Sequence, residues 1–418
     1  MKIAVVGSGI SGIAAAYSLS TAHKVTLIEK QNRLGGHSNS ISVDDGNGYE
    51  VKIDTGFIVF NDKNYPRFTR FLRDLDIESV KSDMSFSYVE SSTGLQYAGT
   101  LAGLLYSGGL KNSVARWRLL ASIYKWSREL DSQRRACSFG SNTIYEALID
   151  LGCPTETINK YFIPMASAIW SCDQGESKNI PAATFIKFFS NHGLLNIFDR
   201  PKWFTVKDGS QSYIRKFEEI FQGKIIRNSG VYLIRECDSG ILVKSRGVDD
   251  QIYDMVVIAT HADEATELLD SNLILQKTIL STYSYSVNQV FLHTDTNLMP
   301  SSRKMWASWN VLGNNFKDSQ EPFVTYNMNR LQGIESKNSY LVTLSSSIEP
   351  DQNKLIYQTT YSHPILNHDE NKNDKNFDVL NRSGNIKFCG SYLGYGFHED
   401  GFLSGLRVSN LINGEVGY

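Results

Sequence analysis

Cysteine is scarce: the chain has five in 418 residues, with no C-x-x-C pair. This excludes a zinc site built on paired thiolates and a disulfide framework, and it points to a reducing compartment such as the cytoplasm. Charge of one sign is also lacking. The chain carries 42 Lys and Arg against 44 Asp and Glu, a net charge of -2. That excludes the basic signature of a general nucleic-acid binder. No apolar run approaches the length of a membrane span. The opening residues carry Lys2 and a short apolar run, but glycines and serines soon interrupt it, so it does not read as a secretory signal. No internal repeat or low-complexity tract is evident. Hydrophobic content of 41% and charged content of 21% suit a soluble globular protein, and the length implies two domains.

What is present begins with "MKIAVVGSGISGIAAAYSLS". Ile3 to Val6 suit a buried parallel strand. Gly7, Gly9 and Gly12 follow in G-x-G-x-x-G spacing, with Ser8, Ile10 and Ser11 between them, and an Ala-rich segment of helical propensity comes next. "HKVTLIEK" reads as a second strand ending at Glu29 and Lys30. The order matters chemically. Gly7 permits the tight turn, Gly9 admits a pyrophosphate close to the backbone, and Gly12 lets helix and strand pack. The helix N-terminus presents N–H groups to phosphate, and Glu29 can accept from a ribose diol. A dinucleotide site is expected.

A second glycine pair follows almost at once, in "RLGGHSNS". A nicotinamide enzyme has no use for it. An extended FAD does, because its flavin half passes over further backbone. Gly35 and Gly36 would allow that approach, with Arg33 and His37 beside them. These motifs resemble those of the flavin-containing amine oxidase superfamily, with its phytoene desaturase and protoporphyrinogen oxidase relatives. The resemblance implies an α/β fold: a Rossmann-like FAD-binding domain with a mixed sheet-and-helix substrate domain. It also implies further FAD contacts. Thr55, Gly56 and Phe57 would lie in "YEVKIDTGFIVF", and Val231 would meet adenine. Gly390, Glu399, Asp400, Gly401 and Ser404 would lie in a C-terminal glycine-rich loop and helix whose N-terminus points at the flavin. Three positions depart from the pattern: His37 for an arginine, His261 for a glycine and Asp208 for a glycine.

The resemblance assigns 1–70, 200–270 and 380–418 to the FAD domain, with 71–199, largely helical, and 271–379 forming the substrate domain. "YFIPMASAIWS", "FFSNHGLL" and "YNMNRLQGI" resemble one subgroup associated with cyclopropane-fatty-acid-synthase-type methyltransferases. This implies a lipid acyl substrate and a methyltransferase partner. Amine oxidases often carry a lysine near the flavin on a strand comparable to "YSYSVNQVFLHTD"; here Asn288 or Gln289 stands there instead. The readings left open are an acyl-chain desaturase or oxidase, an amine oxidase, and an accessory flavoprotein. His293, Asp295 and His398 are the candidate proton-transfer residues, and Tyr392, Tyr395, Trp306 and Trp309 are candidate walls of an apolar pocket. In "KNSVARWRLLASIYKWSRELDSQRR", Val114, Trp117, Ala121 and Tyr124 recur at helical spacing among basic residues. The pattern suits either a membrane-surface helix or a packed helix with a solvated basic face. The polar stretch "NHDENKNDKNFDVLNRSGN" is expected to be a surface loop.

Overall fold

In the computed structural model the described residues are 1–46, 48–90, 93–100, 110–133, 142–195, 201–313, 322–344, 348–368 and 370–414, with 110–113 described by backbone only. Strand Lys2–Val6, apolar and buried from Ile3 onward, lies at the middle of a five-stranded sheet. It pairs in parallel with Lys24–Ile28 on one side and Met255–Ile258 on the other. Lys224–Ile226 and Ile386–Phe388 complete the edges, also in parallel. Parallel strands are covered on both faces, which is why this strand set is rich in Ile, Val and Leu. Helices Ile10–Leu19 and His398–Asn413 pack together on this sheet. Gly405 permits their closeness, since a Cβ there would stand 2.2 Å from the Ser11 carbonyl oxygen.

The second layer is a seven-stranded sheet. In order it comprises Leu355–Pro364, Tyr285–His293, Leu341–Leu344, Phe323–Asn327, Trp309–Leu312, Phe86–Glu90 and Leu95–Ala98. All neighbours are antiparallel except Trp309–Leu312 with Phe86–Glu90. The segment 71–199 therefore supplies two strands to this sheet besides its helices. Helices Leu110–Gln133, Ile163–Trp170 and Ala182–Asn191 share an apolar core with it, separate from the core of the parallel sheet.

The polar stretch expected as a loop forms helix Glu370–Asn381. Its buried positions are Asn373, Asn376, Phe377, Leu380 and Asn381, one helical face. Three of them are asparagines, so hydrophobicity hides the pattern. Their amides are satisfied: Asn376 donates to Tyr283 Oη at 2.8 Å, Tyr283 Oη donates to Asn373 at 3.1 Å, and Asn381 brackets the Phe388 backbone. Tyr283 and Phe377 join the core of the parallel sheet although they lie within 271–379. Asp208 has φ of +60°. A left-handed residue is needed there, which accounts for glycine in the family pattern; aspartate tolerates this conformation better than most residues.

Candidate functional site

A cavity of about 1990 Å³ lies between the two layers. One part is built by the glycine loops. Gly7 has φ of +97°, and Gly12 could carry no side chain, because its Cβ would fall 1.9 Å from the Gly7 carbonyl oxygen. Gly9 differs. Its φ of -64° is ordinary, and a Cβ there would meet no heavy atom within 4 Å. Its bareness serves the cavity it lines, not the fold.

The second glycine pair closes onto the first. The Gly35 N–H donates to the Ser8 carbonyl at 3.0 Å. Gly36, with φ of +56°, approaches so closely that its Cβ would stand 3.2 Å from Gly9 Cα. The two loops form one cradle. Glu29 is buried at the end of its strand, accepting from the Ser8 N–H at 3.0 Å and Ser8 Oγ at 2.5 Å. Arg33 donates to the Gly36 carbonyl at 2.9 Å, so part of its guanidinium braces the loop itself. Lys30 pairs with Glu264.

His37 lines the cavity where the family pattern has arginine. Its ring stacks on Tyr361 at 4.7 Å and lies 5.2 Å from His363 and 6.0 Å from His261. Burial holds His37 well below the usual histidine pKa, brings His363 down to about 4 and lowers His261, so all three are neutral at pH 7. The His37 Nε2 atom is buried with no hydrogen-bond partner. A buried, unsatisfied nitrogen beside a bare glycine cradle marks a place for a polar ligand.

Gly7, Ser8, Gly9, Ile10, Ser11, Glu29, Lys30, Arg33, Gly35, Gly36, His37, Thr55, Gly56, Phe57, Val231 and Gly390 all line the cavity. Gly12, Glu399, Asp400, Gly401 and Ser404 do not. The last four were assigned to the cofactor because they open or follow a helix N-terminus, but each has other work. Glu399 caps a different helix, Pro66–Asp74, accepting from the N–H groups of Arg67 at 3.0 Å and Phe68 at 2.9 Å. Asp400 accepts from the Phe397 N–H at 2.9 Å, and burial raises it to about 7. Gly401 lets the helix approach Ile10, and Ser404 Oγ accepts from the Gly390 N–H at 3.1 Å.

His293 and Asp295 are also placed differently from expectation. Neither lines the cavity. His293 Nε2 bonds Thr343 Oγ1 at 2.7 Å, its Nδ1 accepts from the Asp295 N–H at 3.0 Å, and Asp295 binds Lys354 at 3.0 Å. They fasten the ends of neighbouring strands in the seven-stranded sheet. His293→Ala is therefore expected to cost about 1–3 kcal/mol of stability from the partners left unsatisfied, while FAD content and turnover per folded molecule stay at wild-type levels. Denaturant melts beside flavin absorbance check this. His398 does line the cavity. Its ring stacks on Phe57 at 3.6 Å, its Nε2 bonds Tyr213 Oη at 2.8 Å, and burial drives its pKa down to about 3. It is a neutral packing element of the wall.

Of the candidate aromatic walls, Tyr392 and Trp309 line the cavity; Tyr395 and Trp306 do not, and the Trp306 indole donates to the Pro300 carbonyl at 2.7 Å. Asn288 and Gln289 are outside the lining, and Val290 is the residue of their strand that faces in. Sequence reasoning missed Tyr357, Tyr361 and His363, which alternate along Leu355–Pro364 and all face the cavity. That period-2 spacing was the available signal. It also missed His192, whose Nδ1 donates to the Phe188 carbonyl at 3.0 Å, leaving Nε2 as the lone-pair nitrogen.

The strand, glycine loop and helix, the buried acid at the second strand, and a second loop closing over the first define an FAD-dependent oxidoreductase. Ser8, Gly9 and Glu29 would hold the nucleotide half, and the backbone of 35–37 and 55–57 the flavin half. The chain belongs to the Flavin containing amine oxidoreductase family, whose model matches residues 10–355. Among solved structures, putrescine oxidase bound to putrescine superposes with a TM-score of 0.71 at 14% identity, covering 99% of this chain and 100% of that one. The CLA-producing fatty acid isomerase from P. acnes gives a TM-score of 0.67 at 15% identity, covering 98% and 97%. A 4,4'-diapophytoene desaturase from Staphylococcus aureus is 49% identical over 45 residues, 10% of this chain and 9% of that protein's length.

Proposed function

We propose that this oxidoreductase acts on a long apolar acyl chain drawn from a membrane surface, desaturating or oxidising it with FAD as hydride acceptor. The observation that carries this reading is the make-up of the cavity beyond the glycine loops. Its lining from 71–199 and 271–379 includes Leu120, Ile123, Met165, Val342 and Leu344 but no carboxylate among the described residues. The lining carboxylates are Glu29, Glu264 and Glu267, all on nucleotide-binding segments. An ammonium brought into an apolar cavity needs a counter-charge, and this part of the lining supplies none. An acyl chain needs only apolar surface. Lys81 and Lys202, both exposed, border the cavity and suit a carboxylate or phosphate end.

The same cavity reaches helix Leu110–Gln133, where Trp117 and Tyr124 line it while remaining 54% and 44% exposed. Substrate would enter there. No helix among the described residues is long and apolar enough to cross a membrane, so contact would be peripheral. The resemblance to the methyltransferase-associated subgroup points to the same substrate class.

FAD, when bound, supplies the electron sink. The protein would hold an allylic C–H against it within a dry, apolar wall. The His192 Nε2 lone pair offers an acceptor for the accompanying proton, and burial keeps that ring neutral, with its pKa down to about 4. Mixed anaerobically with membrane lipids, unsaturated fatty acids and small amines in turn, the yellow protein is expected to bleach with an acyl substrate. Bleaching by an amine alone would overturn the reading in favour of amine oxidation.

A further inference from the structure

His363 sits near the end of strand Leu355–Pro364 and lines the cavity. Its one hydrogen bond among the described residues joins Nδ1 to Asn288 Nδ2 at 3.2 Å. The same Nδ2 lies 2.7 Å from the Ser171 carbonyl oxygen and 3.5 Å from that of Ser286. A carbonyl can only accept, so the Asn288 amide must turn its NH2 group toward both partners. His363 Nδ1 is then the acceptor, and a neutral ring must carry its proton on Nε2. The amino-acid chemistry of the relay fixes the tautomer.

The relay is well supported. Asn288 lies on strand Tyr285–His293, which pairs with His363's strand through Ser286 opposite His363 and Asn288 opposite Tyr361. Ser171 ends helix Ile163–Trp170 with φ of +52°, a left-handed conformation that non-glycine residues seldom adopt. Such strain persists only where surrounding structure holds it, and here it accompanies a carbonyl held against Asn288. The ring neighbours of His363 belong to the cofactor cradle. His37 follows the second glycine pair, and its ring lies within 6.0 Å of His261, which follows strand Met255–Ile258.

We propose that His363 donates a hydrogen bond from Nε2–H to the flavin ring of bound FAD, with Asn288 as the residue that positions it. A donor aimed at the ring stabilises the electron-rich reduced flavin more than the oxidised form and so raises its reduction potential. The family's lysine is missing from the adjoining strand, and this uncharged donor stands one strand away. The proposal rests on FAD binding, which its test reads separately.

The FAD-loaded wild type, His363→Phe, His363→Gln and Asn288→Asp should be compared by anaerobic redox titration, with FAD content measured for each. His363→Phe is expected to move the oxidised–reduced equilibrium about tenfold toward oxidised flavin, roughly a 30 mV fall for a two-electron couple. His363→Gln keeps an amide donor and should retain most of the wild-type potential. Asn288→Asp is the sharper test, because its carboxylate can only accept, so Nδ1 of a neutral His363 would carry the proton and Nε2 would become an acceptor. Its potential should fall although His363 is intact. Should His363→Phe fail to fold, the other two variants still decide. Wild-type potentials in His363→Phe or Asn288→Asp at full FAD occupancy would overturn the proposal, as would changes confined to substrate KM. A wild type that holds no FAD would instead sink the cofactor reading beneath it.

Discussion

Gly9→Val is expected to abolish FAD binding while leaving the protein folded. The backbone at Gly9 has an ordinary φ, and the added Cβ meets nothing of the protein within 4 Å. The branched side chain would stand where a pyrophosphate must approach the helix N-terminus. Hydrogen bonds to charged groups are worth about 1.5–3 kcal/mol each, so losing two or three of them lowers affinity by at least about 100-fold. The purified variant should be colourless, with a wild-type circular dichroism spectrum. Gly12→Val supplies the contrast: there the side chain would strike the Gly7 carbonyl, and loss of flavin should come with loss of fold. Full flavin occupancy in Gly9→Val would mean that the cofactor lies elsewhere.

The second large effect is expected at the membrane. Val114, Trp117, Ala121 and Tyr124 are exposed along one stripe of helix Leu110–Gln133, beside exposed Arg118, Lys125 and Arg128. Arg116 does not belong to this face, since only 5% of it is exposed. Each cation near an anionic bilayer contributes about 1 kcal/mol, screened by salt over a Debye length of about 8 Å at physiological ionic strength. Replacing Arg118, Lys125 and Arg128 with Gln should therefore weaken liposome binding by roughly two orders of magnitude. Co-sedimentation should rise with anionic lipid and fall with salt in the wild type, and FAD should remain bound in the variant. A wild type that ignores anionic liposomes would remove the surface-docking reading.

The cofactor cradle was legible because its signals are local. Gly7, Gly9, Gly12 and Glu29 lie within one strand–helix–strand unit, where spacing alone places them. The reading of His293 and Asp295 rests on residue type near a strand end, and the structure keeps both out of the cavity lining. His293 and Asp295 have suitable chemistry, but their partners Thr343 and Lys354 come from other strands and turn them into a fastening. Glu399 has a similar explanation: Phe68, whose N–H it caps, lies 331 residues earlier in the chain. His363 shows the converse. Its meaning depends on Asn288, Ser171 and His37, three separate segments, and only the alternation of Tyr357, Tyr361 and His363 hinted at a shared face.

The parallel sheet has a consequence for biosynthesis. Its central strand is Lys2–Val6, yet one neighbour comes only at Met255–Ile258 and an outer strand only at Ile386–Phe388. The helix that seals it brings Ser409 Oγ to the Ala15 carbonyl, 394 residues away. Closing such a long loop before any pairing rewards it makes this half slow to assemble. The glycine loops rest on a sheet whose strands come from widely separated parts of the chain, so the cradle has its full support only once Ile386–Phe388 has paired.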